Sequence, residues 1–197
     1  MEDEDLKFQR GDLDSVMAAH PHISQWVKDF EAKYGSRPYY YGPLDRDARK
    51  IEPLNLIYVT KEPIFVHMYL PVDADGSEGQ TLWFGLEPQL TDEEDNIRRT
   101  LIEVLRQEAP SAPSFTTDDE FENILSGMID RYTVLDTESR ASARRQGRVW
   151  EVLGMDDKRI TVTTEQRDRL RYTIIRDLIR HGPLEPLLSD EMLEDIH

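Results

Sequence analysis

The chain has 197 residues, with 24 Lys+Arg against 40 Asp+Glu, no cysteine and a formal charge of −16. Zero cysteine excludes a disulfide framework, a thiolate zinc site and a cysteine nucleophile. No apolar stretch approaches the ~20 residues of a membrane span, the opening Met1-Glu2-Asp3-Glu4-Asp5 is the opposite of a secretory signal, and the negative field opposes binding to phosphate backbones. A cytoplasmic protein that takes no nucleic acid is expected. Lysine supplies 6 of the 24 cations and arginine the other 18. Many carboxylates with few lysines suit a protein bathed in molar salt, where screening acts within roughly 3 Å, and equally suit an ordinary acidic protein.

In chain order, residues 1–15 are acidic and aperiodic and are expected to form a disordered tail. Ile23, Trp26, Val27, Phe30 and Tyr34 then repeat at helical spacing, with Pro21 fit for the first turn and Gly35 for the stop. The stretch Ser36 to Arg49, with Pro38, Gly42, Pro43 and the three tyrosines Tyr39 to Tyr41, reads as a loop. Three strand-length apolar runs follow, Leu54 to Thr60, Ile64 to Leu70 and Thr81 to Leu86, joined by polar turns. They predict a small three-stranded antiparallel meander. Thr91 with Glu94 and Thr117 with Glu120 match the capping box and start two helices. The first carries Ile97, Leu101, Val104 and Leu105 on one face; the second carries Phe121, Ile124, Leu125, Met128, Tyr132 and Leu135.

After Leu153 the pattern loosens at Gly154 to Asp157, a boundary near residue 155. A last long helix begins near Thr163 or Thr164, carries Leu170, Ile174, Ile175, Leu178 and Ile179, and stops at Gly182-Pro183. The expected fold class is α+β, with amphipathic helices on the meander over residues 16–155, and residues 156–197 opening a second domain. One helix and the apolar segment Leu184 to Leu188 cannot bury their own apolar face, so this second domain reads as unfinished.

The sequence carries few motifs of catalytic chemistry. No glycine precedes a lysine, so the phosphate-cradling Gly-x-x-x-x-Gly-Lys-[Ser/Thr] loop is missing, as are Gly-x-Gly-x-x-Gly, His-Glu-x-x-His and Gly-x-Ser-x-Gly. His20 and His22 flank a proline at a helix entrance, where two ligands make a poor metal site. His67 lies among apolar strand residues and reads as a satisfied core histidine. Asp92 to Asp95 occupy a helix N-terminus, where the dipole favours anions. Against the overall charge, Arg140, Arg144 and Arg148 fall at i, i+4 and i+8 with Arg145 beside them, a basic stripe fit for a phosphate, a lipid headgroup or an acidic neighbour, or for this chain's own carboxylates. Arg167, Arg169, Arg171, Arg176 and Arg180 pose the same choice on the last helix.

The run Tyr172 to His197, with Arg176, Asp177, Gly182, Leu184, Glu185, Pro186, Leu187, Leu188, Asp190, Glu194, Asp195 and Ile196, resembles the segment that precedes the catalytic core in type II and type IV secretion traffic ATPases. Upstream, Tyr58 to His67 and Leu86 to Glu94 are similar to the N-terminal region of the archaeal branch of that family, which drives archaella and type IV pili. The resemblance implies the N-terminal scaffold of a hexameric cytoplasmic motor, peripheral to the membrane. Its partners would be its own ATPase core, neighbouring subunits and a membrane platform protein. In that family the Walker loop, the acidic metal-binding motifs and the histidine motif lie beyond the point where this sequence ends. ATP and Mg²⁺ therefore belong to the full-length proteins, and no catalytic, cofactor or metal residue is assigned here. The candidate interface comprises Arg140, Arg144, Arg145, Arg148, Arg176, Asp177, Gly182 and Pro183. A free-standing acidic adaptor that binds partner proteins is the alternative, and a small metal-dependent hydrolase a third.

Overall fold

The computed structural model describes residues 11–42, 54–72, 79–136 and 159–193. The protein is mixed α+β and divides into two compact units, Met1–Pro88 with Leu184–His197, and Gln89–Pro183.

The first unit is built on a four-stranded sheet in the order β1 (Tyr39–Tyr41), β2 (Asn55–Lys61), β3 (Ile64–Tyr69), β4 (Leu82–Leu86). The antiparallel β2–β3–β4 meander lies where the alternating apolar runs predict it. The expected three strands become four because Tyr39–Tyr41 is not loop: it pairs in parallel with β2, Tyr40 opposite Ile57. A three-residue run between Pro38 and Gly42 has no period of its own to read, so only its partner identifies it as a strand.

Side-chain alternation gives the sheet two apolar faces. Ile57, Phe65 and Leu86 meet Leu13, Ile23 and Val27 of α1 (Leu13–Ala19) and α2 (Pro21–Tyr34). Leu56, Tyr58 and Val66 form the opposite face with Met192 from the C-terminal segment. α2 obeys its predicted signals, with Pro21 at its first position and Gly35 closing it in the left-handed conformation (φ +67°). Of the tail expected over 1–15, residues 1–10 lie outside the described residues, while Leu13, Asp14 and Ser15 open α1. Asp12 caps it, its Oδ1 accepting the Asp14 N–H at 3.0 Å, and Leu13 is buried in the core.

The second unit packs α3 (Asp92–Glu108), α4 (Asp118–Tyr132) and α5 (Thr164–Leu178) around Leu101, Leu105, Leu125, Ile129, Ile174 and Ile175. Burying such a side chain contributes about 1.5–3 kcal/mol. All three helices begin with a reciprocal capping box: Thr91–Glu94, Thr117–Glu120 and Thr163–Gln166. Leu135, expected on the second helix, lies instead in β5 (Thr133–Leu135), which pairs in parallel with β6 (Ile160–Val162). The β-branched pair Thr133-Val134 leaves the helix once distant chain offers a strand to pair with.

The expected boundary near 155 lies outside the described residues, and the two units meet in sequence at Pro88/Gln89 and Pro183/Leu184. α5 does not start a separate body: its apolar stripe is covered by α3 and α4, helices that precede it by tens of residues. The chain then passes through a 3₁₀ turn, Gly182–Leu184, and the short helix α6 (Glu185–Leu188), and residues 184–193 join the strands of the first unit.

Candidate interaction surfaces

α5 carries Arg167, Arg169, Arg171 and Arg176 along with the buried residues Leu170, Ile174 and Ile175. Arg169 forms a two-pronged pair with Glu94, Nη2 on Oε1 and Nε on Oε2, while Glu94 also accepts the Thr91 N–H at 2.9 Å. Glu94 is 1% exposed. Burial pushes its carboxyl up, but the Arg169 hydrogen bonds, the Thr91 amide and the Arg169 charge outweigh that and hold it below its ordinary value. Arg171 and Arg167 both reach Asp130, and Arg180 donates to both oxygens of Glu122 at 3.0 and 3.1 Å. The Nε atoms of Arg167 and Arg171 are buried and have no hydrogen-bond partner among the described residues. Arg167, Arg169 and Arg171 of α5, and Arg180 just after it, thus meet the chain's own carboxylates.

Among the predicted interface residues, Arg176 donates to Asp177 Oδ1 through Nε and Nη2 at 2.9 and 2.8 Å, and Asp177 Oδ2 accepts from Arg98 Nη1 at 3.3 Å. Gly182 adopts the left-handed conformation (φ +57°) at the start of the 3₁₀ turn that holds Pro183. Arg176 and Asp177 are therefore brought together; Gly182 and Pro183 shape the turn that follows them. Arg140, Arg144, Arg145 and Arg148 lie outside the described residues, as do Glu194, Asp195 and Ile196.

The buried carboxylate of Asp190 fastens the C-terminal segment to the sheet. Asp190 Oδ2 accepts the Tyr58 O–H at 2.7 Å and the Trp83 Nε1–H at 2.8 Å, and Oδ1 accepts the Met192 N–H at 3.0 Å. Pro186 lies directly on Gly85, where a Cβ would come within 2.9 Å of it. On this segment Glu185 and Pro186 are buried, while Leu184 and Leu188 are 57% and 53% exposed.

His67 is the buried polar centre of the other sheet face. Trp26 Nε1–H donates to its Nδ1 at 3.0 Å, so Nε2 carries the proton and donates to Asn55 Oδ1 at 2.8 Å, and Asn55 Nδ2 donates to Ser36 Oγ at 2.8 Å. Burial lowers its pKa to about 4, so the ring is neutral at pH 7. This is the satisfied core histidine the sequence predicts. His22 donates from Nε2 to the Pro63 carbonyl at 3.1 Å, and the His20 ring packs on Phe65 at 4.8 Å. Among the described residues no three His, Cys, Asp or Glu side chains cluster as metal ligands do, and no helix is long and apolar enough to cross a membrane.

Two surfaces escape the sequence reading. A cavity of about 420 Å³ lies where Ala112 and Pro113 face Ile124, Met128 and Tyr132 of α4. Its signal is Gly127, a helix-interior glycine with open space where a Cβ would stand. The second is the outer edge of β4, signalled by Gly85 inside a strand.

No family model matches the chain, and no solved structure does. An uncharacterized protein of Methanocaldococcus jannaschii is 28% identical over 191 residues, which cover 96% of this chain and 33% of that protein. The chain thus spans about a third of the length of the curated relative it matches.

Proposed function

We propose that this chain is the N-terminal, non-catalytic scaffold of a hexameric cytoplasmic ATPase that powers assembly of a type IV pilus, an archaellum or a type II-like secretion system. In this reading it links the ATPase core to a membrane platform protein, and ATP and Mg²⁺ bind elsewhere in the assembly. The observation that carries the proposal is the run Tyr172 to His197, with its Gly182-Pro183-Leu184-Glu185-Pro186-Leu187-Leu188 turn. The exposure of Leu184 and Leu188 on that run supports a further partner that covers them. An archaeal relative three times as long has room for a catalytic core. The last helix itself lends the reading no support, because α3 and α4 cover α5.

That same closure favours the second reading, a self-sufficient acidic adaptor. One experiment separates the two: expression of the chain together with the coding sequence that follows His197, with Mg-ATP hydrolysis and mass measured on the product. The motor reading expects a Gly-Lys-[Ser/Thr] loop, a hexamer and ATP turnover that residues 1–197 alone lack. A stop codon after His197, or an extended product that binds no nucleotide, overturns it.

A further inference from the structure

We propose that the outer edge of β4 is a docking site for an extended, cation-flanked segment of a partner protein, which adds to the sheet as a fifth strand. β4 is the last strand in the order β1-β2-β3-β4. At the other edge, the Gly11 N–H already donates to the Tyr40 carbonyl of β1 at 2.9 Å. The free side of β4 follows from the register. The Leu70 N–H donates to the Leu54 carbonyl at 2.8 Å, so even-numbered residues of β3 turn their main-chain groups to β2 and odd-numbered ones to β4. Through the pairs Phe65–Leu86, His67–Phe84 and Tyr69–Leu82, the main-chain groups of Leu82, Phe84 and Leu86 bond to β3. Those of Trp83 and Gly85 point outward and have no main-chain partner among the described residues.

Natural edges are blunted by charge, proline or a bulge. Leu82–Leu86 (Leu-Trp-Phe-Gly-Leu) has no charge and no proline, and its pairing with β3 is regular. Gly85 is exposed; Pro186 and the Trp83 ring lie over one face of it, while its main-chain groups point outward along the edge.

Charge selects the occupant. The unit holding this edge, Met1–Pro88 with Leu184–His197, has 9 basic and 21 acidic residues, net −12, against 15 and 19, net −4, in Gln89–Pro183. A second copy would bring another −12 to the edge and be repelled. A segment of about five apolar or β-branched residues with Lys or Arg at both ends satisfies edge and field together. The assignment stands on the edge and the charge and does not depend on the motor reading.

The test is amide hydrogen exchange of the ¹⁵N-labelled protein at low salt, with a synthetic peptide of alternating valine and threonine flanked by lysine pairs. Exchange at Trp83 and Gly85 should slow by at least about tenfold on addition of peptide, while Phe84 and Leu86, already bonded to β3, stay unchanged. Glutamate in place of the flanking lysines should weaken binding by at least about tenfold, and a central proline should abolish it. Unchanged exchange at Trp83 and Gly85 overturns the proposal. So does protection of the two amides gained merely by concentrating the protein, which would make the occupant a second copy.

Discussion

His67 is neutral because burial withholds solvation from a charged ring, while Trp26 and Asn55 satisfy its two nitrogens. Its folded pKa of about 4 lies below the ordinary 6.5. The unfolded chain therefore binds the proton first as pH falls, and stability is present above 6.5 and lost between 6.5 and about 4. The loss is on the order of 3 kcal/mol at most, from the width of that window. Thermal melts followed by tryptophan fluorescence should show it, and His67→Phe, which does not titrate, should flatten that part of the profile at the cost of leaving Asn55 and Trp26 unpaired. Glu94 acts lower on the scale. Its folded pKa is below its ordinary value of 4.5, so its contribution is present above 4.5 and disappears as pH falls through the folded value. Removing one partner of so buried a pair is costly: Glu94→Ala should destabilise the helical unit by about 3 kcal/mol, with Glu94→Ala/Arg169→Met costing less than the sum of the single changes in urea unfolding.

Between elements, close approach decides. A Cβ at Gly85 would stand 2.9 Å from both Pro186 Cβ and Trp83 Cη2. Gly85→Ala should therefore push α6 off the sheet, cost about 1–3 kcal/mol and quench or shift the Trp83 fluorescence that reports its bond to Asp190. A stability equal to wild type would mean that the C-terminal segment lies loosely on the strands. The cap of α5 is a milder contact. Thr163→Ala removes the acceptor of the Gln166 N–H and should cost about 1 kcal/mol, read by denaturant unfolding.

Across the whole molecule, charge is unevenly spread. With net −12 the sheet-containing unit repels itself, whereas the helical unit, net −4, is laced by ion pairs from α5 to α3 and α4. Screening relieves the first and weakens the exposed members of the second. Lowering the salt should therefore destabilise the sheet unit more, a difference that amide exchange resolved by residue would report. Equal responses of the two units would show that the excess carboxylates are too widely spaced to matter.

The elements whose signals are local were legible in the chain itself: α2 between Pro21 and Gly35, the β2–β3–β4 alternation, the capping boxes at Thr91 and Thr117, and the core role of His67 among strand residues. Periodicity and caps act within a few residues, so the sequence by itself determined them, together with the acidity and the lack of thiol chemistry. β1, β5 and β6 are three residues long and exist only because a partner strand lies beside them. The cover over α5 is likewise non-local, and the seat of Asp190 between Tyr58 and Trp83 and the pairing of Arg169 with Glu94 join positions 75 to 132 residues apart. The place of β4 at the end of the strand order is likewise a fact no single strand encodes. Tertiary structure decided these because burial and pairing reward contact in space, and contact in space between distant residues leaves no period along the chain.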